Sequence, residues 1–401
     1  KLYWHQAANF PWRKDEAEFK DNVDRKMRPL KAGNVFEGRI RFKNLSEVEL
    51  GALLKVFSLS AEDRELCFKI GQGKGIGLGS IRIDAKLVLV DEVQMCSGFE
   101  RTVNSLHASG GYDIYITGSN AFLAGSDLAT LFVGRTYTIE VYPFSFAEFM
   151  EYYGYKDRFD GLQKYVKEGG MSGSYDYDTL KKKYDYISGV YNTLIVRDIE
   201  EKHGVKNTAV MNGLSDFLMD NISKPTSIRN VANALTSSHL EATDKTIGSY
   251  VKYLCEAYAF YRVRRYDIKG KRYLASTDKY YLSDHAFKYA KLGTKTPDYG
   301  DVYENIVAIE LLRRGYEVYV GALRNSEVDF IAKRGDEKVY IQVSYSIKDE
   351  KTMKREIAPL MNLPGGYPRI LIAGTEHPEY LYEGIRVVDI ADWLLERPEV
   401  A

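Results

Sequence analysis

The stretch Lys86-Leu-Val-Leu-Val-Asp-Glu-Val-Gln-Met95 decides the fold of the middle of the chain. Its apolar residues 87–90 are typical of a buried strand, and two acids, Asp91 and Glu92, follow directly. Such a strand end can orient a Mg²⁺ ion with one carboxylate and polarise an attacking water with the other. The stretch therefore predicts the acidic strand of a nucleotide triphosphatase within an α/β fold.

A second apolar run follows about twenty residues later and supports this interpretation. It is Tyr112-Asp-Ile-Tyr-Ile-Thr117, and it closes with Gly118-Ser119-Asn120. If the two strands are neighbours in one sheet, their polar ends lie at the same edge. Asn120 is then placed to sense a γ-phosphate beside Asp91 and Glu92.

The loop that would hold the phosphates of ATP is absent from the sequence before Asp91. A phosphate loop has the pattern G-x-x-x-x-G-K-[ST], and no such pattern precedes the acidic strand. The glycine-rich segment Gly71–Ser80 contains Lys74, but Gly75 stands where Ser or Thr is required. Alternating glycines also disfavour the helix whose N-terminus binds phosphate. We therefore expect ATP binding to be weak or absent.

The composition describes an ordinary globular chain of two or three domains. The 401 residues are 45% hydrophobic and 28% charged, with 56 basic and 56 acidic side chains. Nucleic-acid binding would thus need a local basic surface. No apolar run reaches the length of a membrane span, so we expect a soluble protein without a membrane partner. Three separated cysteines without zinc-ligand spacing favour free thiols in the cytoplasm, and Lys1 without a preceding Met indicates that residues are missing in front.

The first 84 residues differ in character from the rest. Residues 35–43 alternate like a strand, residues 47–57 have the pattern of a short helix, and the glycine-rich segment follows. The string Arg28–Ser46, then Glu49–Leu54 and this segment, resembles the C-terminal part of a CRISPR-associated RAMP protein. The resemblance implies a ferredoxin-like α+β fragment that contacts the backbone of a guide RNA. The residues that would contact the RNA are Gly71, Gly73, Lys74, Gly75 and Gly77. The alternative is that this segment is a solvated turn without an RNA-binding role.

From about residue 86 the chain resembles AAA-type P-loop ATPases that carry a C-terminal domain of unknown function. The motifs are Leu87–Gln94, Tyr115–Ala121, Asp127–Leu131, Gly134-Arg135, Tyr142–Phe149, Lys167–Met171 and Tyr191–Ile199. The resemblance implies ATP and Mg²⁺ as cofactors, with Asp91 orienting the metal through water, Glu92 polarising the attacking water and Asn120 sensing the γ-phosphate. Arg135 either stabilises transition-state charge or pairs with a carboxylate.

RAMP-like sequence stands where this ATPase family has its phosphate loop, and the two resemblances join near residues 84–86. A gene fusion, a remnant, or a join made in assembling the sequence would each explain this. A chain with no cellular role is one consequence to consider.

Residues 226–274 have the pattern of a winged helix-turn-helix. Ile228, Val231, Ala232 and Leu235 mark one helix, while Ile247, Val251, Leu254 and Tyr258 mark a second that follows the N-cap candidate Thr243. A hairpin from Ala259 to Leu274 turns at Gly270. We expect DNA phosphates to be bound by the basic residues of the second helix and the hairpin, although winged helices also bind proteins. These residues are Lys245, Lys252, Arg262, Arg264, Arg265, Lys269, Lys271 and Arg272.

The C-terminal part has the layout of a PD-(D/E)xK nuclease. Glu304 lies on a predicted helix, Asp329 on one strand, and Gln342 and Ser344 on the next. Cleavage in this class needs a second acid and a lysine where Gln342 and Ser344 stand. We therefore expect a restriction-endonuclease-like scaffold without nuclease activity, which binds a nucleic-acid end or a partner, or serves packing alone.

The predicted fold class is α/β throughout most of the chain. The sequence predicts a ferredoxin-like fragment at 1–84, a partial AAA core at 85–150, a helical region at 151–222, a winged helix at 223–290 and a nuclease-like domain at 291–401. The favoured function is an ATP-controlled, DNA-associated protein with impaired ATP binding. The alternative is an N-terminal guide-RNA-binding module. The sequence leaves the oligomeric state open.

Overall fold

The structure is a computed structural model that describes residues 68–69, 80–81, 87–90, 93, 96, 98–109, 113–118, 136–268, 270, 272–293, 299–324 and 326–396. The chain divides into two compact units, residues 1–118 and residues 119–401. The strand and helix predicted at 35–43 and 47–57 lie outside the described residues. No helix among the described residues is long and apolar enough to cross a membrane.

The first unit contains two small sheets. Strands β1 (Phe68–Lys69) and β2 (Ser80–Ile81) pair antiparallel. Strands β3 (Leu87–Val90) and β4 (Asp113–Ile116) pair parallel and are connected through helix α1 (Phe99–Ser109). A helix between two parallel strands is the unit from which α/β sheets are built. The predicted neighbouring strands are confirmed.

Four α-helices come first among the described residues of the second unit, together with a short 3-10 helix at Ser172–Ser174. Helix α2 (Phe146–Tyr153) starts at a capping box of Ser145 and Glu148 and ends at Gly154, whose φ of 67° is left-handed. Helices α3 (Arg158–Glu168), α4 (Leu180–Thr193) and α5 (Thr208–Asp220) follow, and a π-helical segment, Leu194–Glu201, extends α4.

Two further helices lead into a long hairpin. They are α6 (Ile228–Ser237) and α7 (Asp244–Glu256), and the hairpin consists of β5 (Phe260–Asp267) and β6 (Arg272–Leu282). The hairpin is longer than predicted because β6 continues past Leu274 and pairs with β5 as far as Leu282. Helix α8 (Ala286–Leu292) comes next.

The remaining elements are strands of a mixed sheet and the helices that lie between and after them in the chain. They are α9 (Tyr299–Arg313), β7 (Glu317–Ala322), β8 (Glu327–Arg334), β9 (Glu337–Ser344), α10 (Glu350–Met361), β10 (Arg369–Ala373), β11 (Tyr380–Tyr382), β12 (Ile385–Asp389) and α11 (Ile390–Leu395). The eight strands lie in the order β11-β12-β10-β9-β8-β7-β5-β6. Strand β5 pairs parallel with β7, so the hairpin is part of this sheet.

One apolar core runs through both ends of the second unit. Phe146 and Phe149 of α2 belong to the same buried cluster as Phe330 of β8 and Trp393 of α11. The sheet crosses the predicted boundary at residue 290, and α2 packs with the C-terminal elements. The described residues of this unit, from 136 onward, are thus held together by one sheet and its apolar layers.

Candidate functional site

The parallel pair β3–β4 places the ends of both strands at one edge. Leu87 lies opposite Asp113, and Val90 lies opposite Ile116, so the two strands end together. Beyond the strand ends, the Val93 amide donates a hydrogen bond of 3.0 Å to the Thr117 carbonyl. The segments that carry the predicted acids and the predicted sensor therefore leave the same edge of the sheet. Asp91, Glu92, Asn120 and Arg135 themselves lie outside the described residues, as do the glycine-rich residues 71–77.

The two helices predicted at residues 228–258 are confirmed, although the second helix ends earlier than predicted. Thr243 caps α7 by accepting a hydrogen bond from the Thr246 amide, as its position predicts. The apolar face of α7 is buried through Ile247, Val251 and Leu254. Tyr258 lies beyond the last turn with a φ of 55°, so the helix does not reach it. On the opposite face of α7, Lys245 and Lys252 are exposed.

The positive charge of the hairpin is partly compensated by neighbouring acids. Arg262 forms a salt bridge of 2.6 Å with Asp278 on the paired strand. Arg265 forms one of 3.2 Å with Glu327 of β8. Arg264 is exposed between them. Lys269 and Lys271 lie outside the described residues, and of Arg272 only the backbone is described, as the first residue of β6.

The structure brings a lysine into the predicted nuclease-like site. The Lys279 Nζ atom of β6 lies 2.9 Å from Glu304 of α9, 2.9 Å from Glu327 and 3.5 Å from Asp329 of β8. We call these four residues the Lys279 centre. The Lys279 side chain is 4% exposed, and its carboxylate partners are 12–23% exposed. The centre is therefore nearly closed to solvent.

Neighbouring groups fix the orientation of the carboxylates in the Lys279 centre. The Tyr281 hydroxyl donates to Glu304 at 2.7 Å, and the Val343 amide donates to Asp329 at 2.9 Å. Gln342 accepts from the Asp329 amide at 3.4 Å and donates to Glu356. The Ser344 hydroxyl instead donates to the carbonyl of Ser346 at 3.2 Å. Glu304 and Asp329 thus both contact Lys279, Gln342 contacts the backbone of Asp329, and Ser344 bonds to its own loop.

Sequence reasoning missed Lys279 and Glu327 as members of this site. A usable signal was present: Lys279 opens the run Lys-Tyr-Tyr-Leu within a buried strand, and an unpaired charge rarely stays buried. Which acids face Lys279 depends on the pairing of β5, β6, β7 and β8, and the sequence does not specify that pairing.

The Lys279 centre carries more negative than positive charge. Three carboxylates face the Lys279 ammonium and the Arg265 guanidinium. Burial, together with the charge of Asp329, raises the pKa of Glu304 to about 8 against the opposing effect of Lys279. Burial also raises the pKa of Asp329. Burial lowers the pKa of Lys279, but its three acids outweigh burial and the net shift is upward. A proton on Glu304 is therefore favoured more than on an exposed glutamate.

This proton makes the stability of the second unit depend on pH. The folded pKa of Glu304 lies above its unfolded value, so its contribution to stability is fully present below about pH 4.5 and is lost as the pH rises toward 8. We expect the unfolding free energy, relative to that of Glu304→Gln, to fall between pH 5 and pH 8. Urea unfolding of both proteins at several pH values measures this. A difference that is constant across that range would contradict the protonated Glu304.

The described part of the chain contains no group of three or more His, Cys, Asp and Glu side chains arranged to hold a metal ion. A Mg²⁺ ion would need Asp91, whose surroundings lie outside the described residues. Cys96 and Cys255, the described cysteines, are free thiols, and burial raises the pKa of Cys255 to about 12. Cys255 is therefore not set up as a reactive thiolate.

The parallel pair with its crossover helix, followed by a unit with a large mixed sheet, defines an α/β class of protein. Residues 53–150 match the AAA domain family, and residues 159–298 match a domain of unknown function, DUF8612. The AAA match includes residues 53–84, which the RAMP resemblance also covers.

The chain belongs to the same family as an uncharacterized protein of Haemophilus influenzae. The two are 37% identical over 312 residues, which cover 77% of each chain. Uncharacterized protein MJ1544 of Methanocaldococcus jannaschii is 28% identical over 68% of this chain and 64% of its own length. Among solved structures, protein VC1899 from Vibrio cholerae aligns over 77% of this chain and 73% of its own, with 12% identity and a TM-score of 0.19, which is too low for conclusions about the fold.

Proposed function

We propose that this AAA-family chain is a DNA-associated protein with a nucleotide site at the edge where β3 and β4 end. The observation that carries the nucleotide site is the register of this parallel pair, in which both strands end together. In the proposal, Asp91 orients Mg²⁺ through water, Glu92 polarises the attacking water and Asn120 senses the γ-phosphate. Arg135 stabilises the negative charge of the transferred phosphoryl group in the transition state.

In the same proposal, ATP is bound weakly or not at all. The acids at the end of β3 can act on ATP only if a phosphate loop holds its phosphates, and the sequence before Asp91 has no G-x-x-x-x-G-K-[ST] pattern. The segment Gly71–Ser80 supplies glycines and Lys74 but no Ser or Thr after the lysine. The competing possibility, which the experiment must exclude, is that this segment binds the phosphates of ATP in place of a phosphate loop.

A titration with a fluorescent ATP analogue and Mg²⁺ tests the nucleotide site. We expect no saturation below about 1 mM, which corresponds to a binding free energy weaker than about −4 kcal/mol. The Asp91→Ala/Glu92→Gln variant is expected to give the same curve. Saturable binding in the micromolar range, if the double variant altered it, would contradict this expectation. It would show that some segment of the chain binds the phosphates and that the chain binds ATP as an intact AAA protein does.

The surface proposed to bind DNA is formed by α7 and the hairpin. Helices α6 and α7 followed by β5 and β6 have the element order of a winged helix, which supports this assignment. Lys245, Lys252 and Arg264 are exposed there and free to face phosphates, although Lys252 also lies 3.4 Å from Glu256. Arg262 and Arg265 are held by acids, so we assign them a smaller share of DNA binding.

We propose that the C-terminal elements form a nuclease-like scaffold that does not cleave. Helix α9 followed by β7, β8 and β9 brings Glu304, Asp329 and Gln342 together, which supports the restriction-endonuclease-like assignment. Gln342 is a neutral group in place of an acidic metal ligand, and Ser344 bonds to Ser346 instead of supplying positive charge. Guide-RNA binding by residues 1–84 stays a prediction, because the loop concerned lies outside the described residues.

A further inference from the structure

We propose that the Lys279 ammonium is the built-in cation of the Lys279 centre and occupies the position that a divalent metal ion would take among these carboxylates. Replacing Lys279 by a neutral side chain of similar length then opens a site for a hard divalent cation such as Mg²⁺ or Mn²⁺. The assignment concerns the second unit alone and does not depend on the nucleotide site or on DNA binding.

The geometry around the Lys279 nitrogen supports this assignment. Oxygens of Glu304, Glu327 and Asp329 lie 2.9, 2.9 and 3.5 Å from one atom. The ammonium group donates hydrogen bonds to Glu304 and Glu327 and lies within salt-bridge distance of Asp329. Carboxylate oxygens converging on one point are also the ligands that Mg²⁺ and Mn²⁺ prefer. With Lys279 among them these three acids do not form a metal site, and in the proposal the loss of the lysine makes their oxygens available to a divalent cation.

The three acids are held in place independently of Lys279. Glu327 and Asp329 are two residues apart on β8, so their side chains lie on the same face of the sheet. The Val343 amide fixes Asp329, the Tyr281 hydroxyl fixes Glu304, and Arg265 binds the second oxygen of Glu327. Loss of the Lys279 charge would thus leave an arranged set of acceptors rather than a collapsed one.

The lysine and a metal ion exclude each other at this point. A divalent ion among the same oxygens would lie within a few ångströms of the ammonium, and the two positive charges would repel strongly in a site that is nearly closed to water. Entry of the metal would require the Lys279 side chain, 4% exposed, to leave its three partners. The unmodified chain is therefore expected to bind no divalent ion here.

Mn²⁺ binding to the full chain, measured by electron paramagnetic resonance, tests the proposal. We expect Lys279→Met to bind one additional Mn²⁺ at least about tenfold more tightly than the unmodified chain does, and Lys279→Met/Asp329→Asn to lose that ion. The matched control is Lys183→Met, because Lys183 is equally buried but pairs with the single acid Glu168 at 2.6 Å. This control is expected to gain no Mn²⁺ site.

Two results would overturn the proposal. One is stoichiometric Mn²⁺ binding by the unmodified chain that Asp329→Asn abolishes, because Lys279 would then stand beside a metal rather than replace it. The other is a folded Lys279→Met protein that binds no more Mn²⁺ than the unmodified chain.

If Lys279→Met alone does not fold, Lys279→Met/Glu304→Gln carries the test. It also removes Glu304, an acid whose pKa is raised, while Glu327 and Asp329 keep their contacts to Arg265 and to the Val343 amide, so we expect circular dichroism to show a folded protein that binds more Mn²⁺ than the unmodified chain. A double variant that is unfolded, or that is folded but binds no more Mn²⁺ than the unmodified chain, would mean that Lys279 does not take the place of a metal ion, and the proposal would be wrong.

Discussion

Reversing three exposed charges on the proposed DNA surface is expected to lower the affinity for duplex DNA by about 100-fold at moderate salt. The variant is Lys245→Glu/Lys252→Glu/Arg264→Glu. Each lost phosphate contact also reduces the slope of log affinity against log salt by about one, so we expect the slope to fall by about three. Fluorescence anisotropy of a labelled duplex at several salt concentrations measures both quantities.

A matched variant separates local contacts from net charge. Lys181→Glu/Lys351→Glu/Lys354→Glu changes the charge of the chain by the same amount, at exposed positions on α4 and α10. We expect it to bind DNA within about threefold of the unmodified chain, because the long-range field alone is small in a chain of zero net charge. Equal losses in the two variants, or none in either, would remove α7 and the hairpin as the DNA surface.

Arg262 and Arg265 are left unchanged in these variants for a structural reason. Arg262 is paired with Asp278 on the neighbouring strand β6, and Arg265 is paired with Glu327 on β8. Reversing either charge would place two acids together within the sheet, so a loss of DNA binding could reflect a loss of folding.

Asp284→Ala is expected to lower the unfolding free energy by about 3 to 5 kcal/mol. Asp284 is 3% exposed, and its carboxylate accepts hydrogen bonds from the Gly170 amide at 2.7 Å and the Ala286 amide at 2.8 Å, and from the Met171 amide. The residue joins the end of α3 to the start of α8. Alanine would leave these buried donors without partners, and urea unfolding measures the cost.

Asp284→Asn is the control for this effect. Its amide oxygen can still accept from one set of donors, so we expect about half of the loss seen with alanine. If alanine and asparagine both stay within about 1 kcal/mol of the unmodified chain, the Asp284 bonds do not hold these helices together.

The sequence predicts best where a local pattern is strong. Thr243 before an apolar stripe predicts the start of α7, and the structure shows the cap and the buried stripe. Two apolar runs of strand length predict β3 and β4, and they pair in parallel. In both cases the signal lies within one element or between two elements that are adjacent in the chain.

The sequence predicts least where the structure depends on distant pairing. Lys279 meets Glu304, 25 residues away, only because β6 and α9 pack together, and it meets Glu327 and Asp329 because β8 lies in the same sheet. The salt bridge between Arg265 and Glu327 has the same origin. From the sequence alone, Arg265 was predicted to contact DNA, and Gln342 was predicted to replace an acid that nuclease activity needs. The position of Lys279 beside these acids could be known only from the order of the strands.

The most direct test of the account is the affinity of the unmodified chain for duplex DNA, measured by anisotropy with and without Mg²⁺ and ATP. The proposed function predicts saturable, salt-dependent binding whose dissociation constant changes by less than about twofold when ATP is added. A labelled RNA of equal length, used as a competitor, distinguishes this surface from the RNA-binding alternative. Absence of DNA binding at low salt, or a tenfold or larger change in affinity on adding ATP, would contradict a DNA-associated AAA-family protein with an impaired nucleotide site.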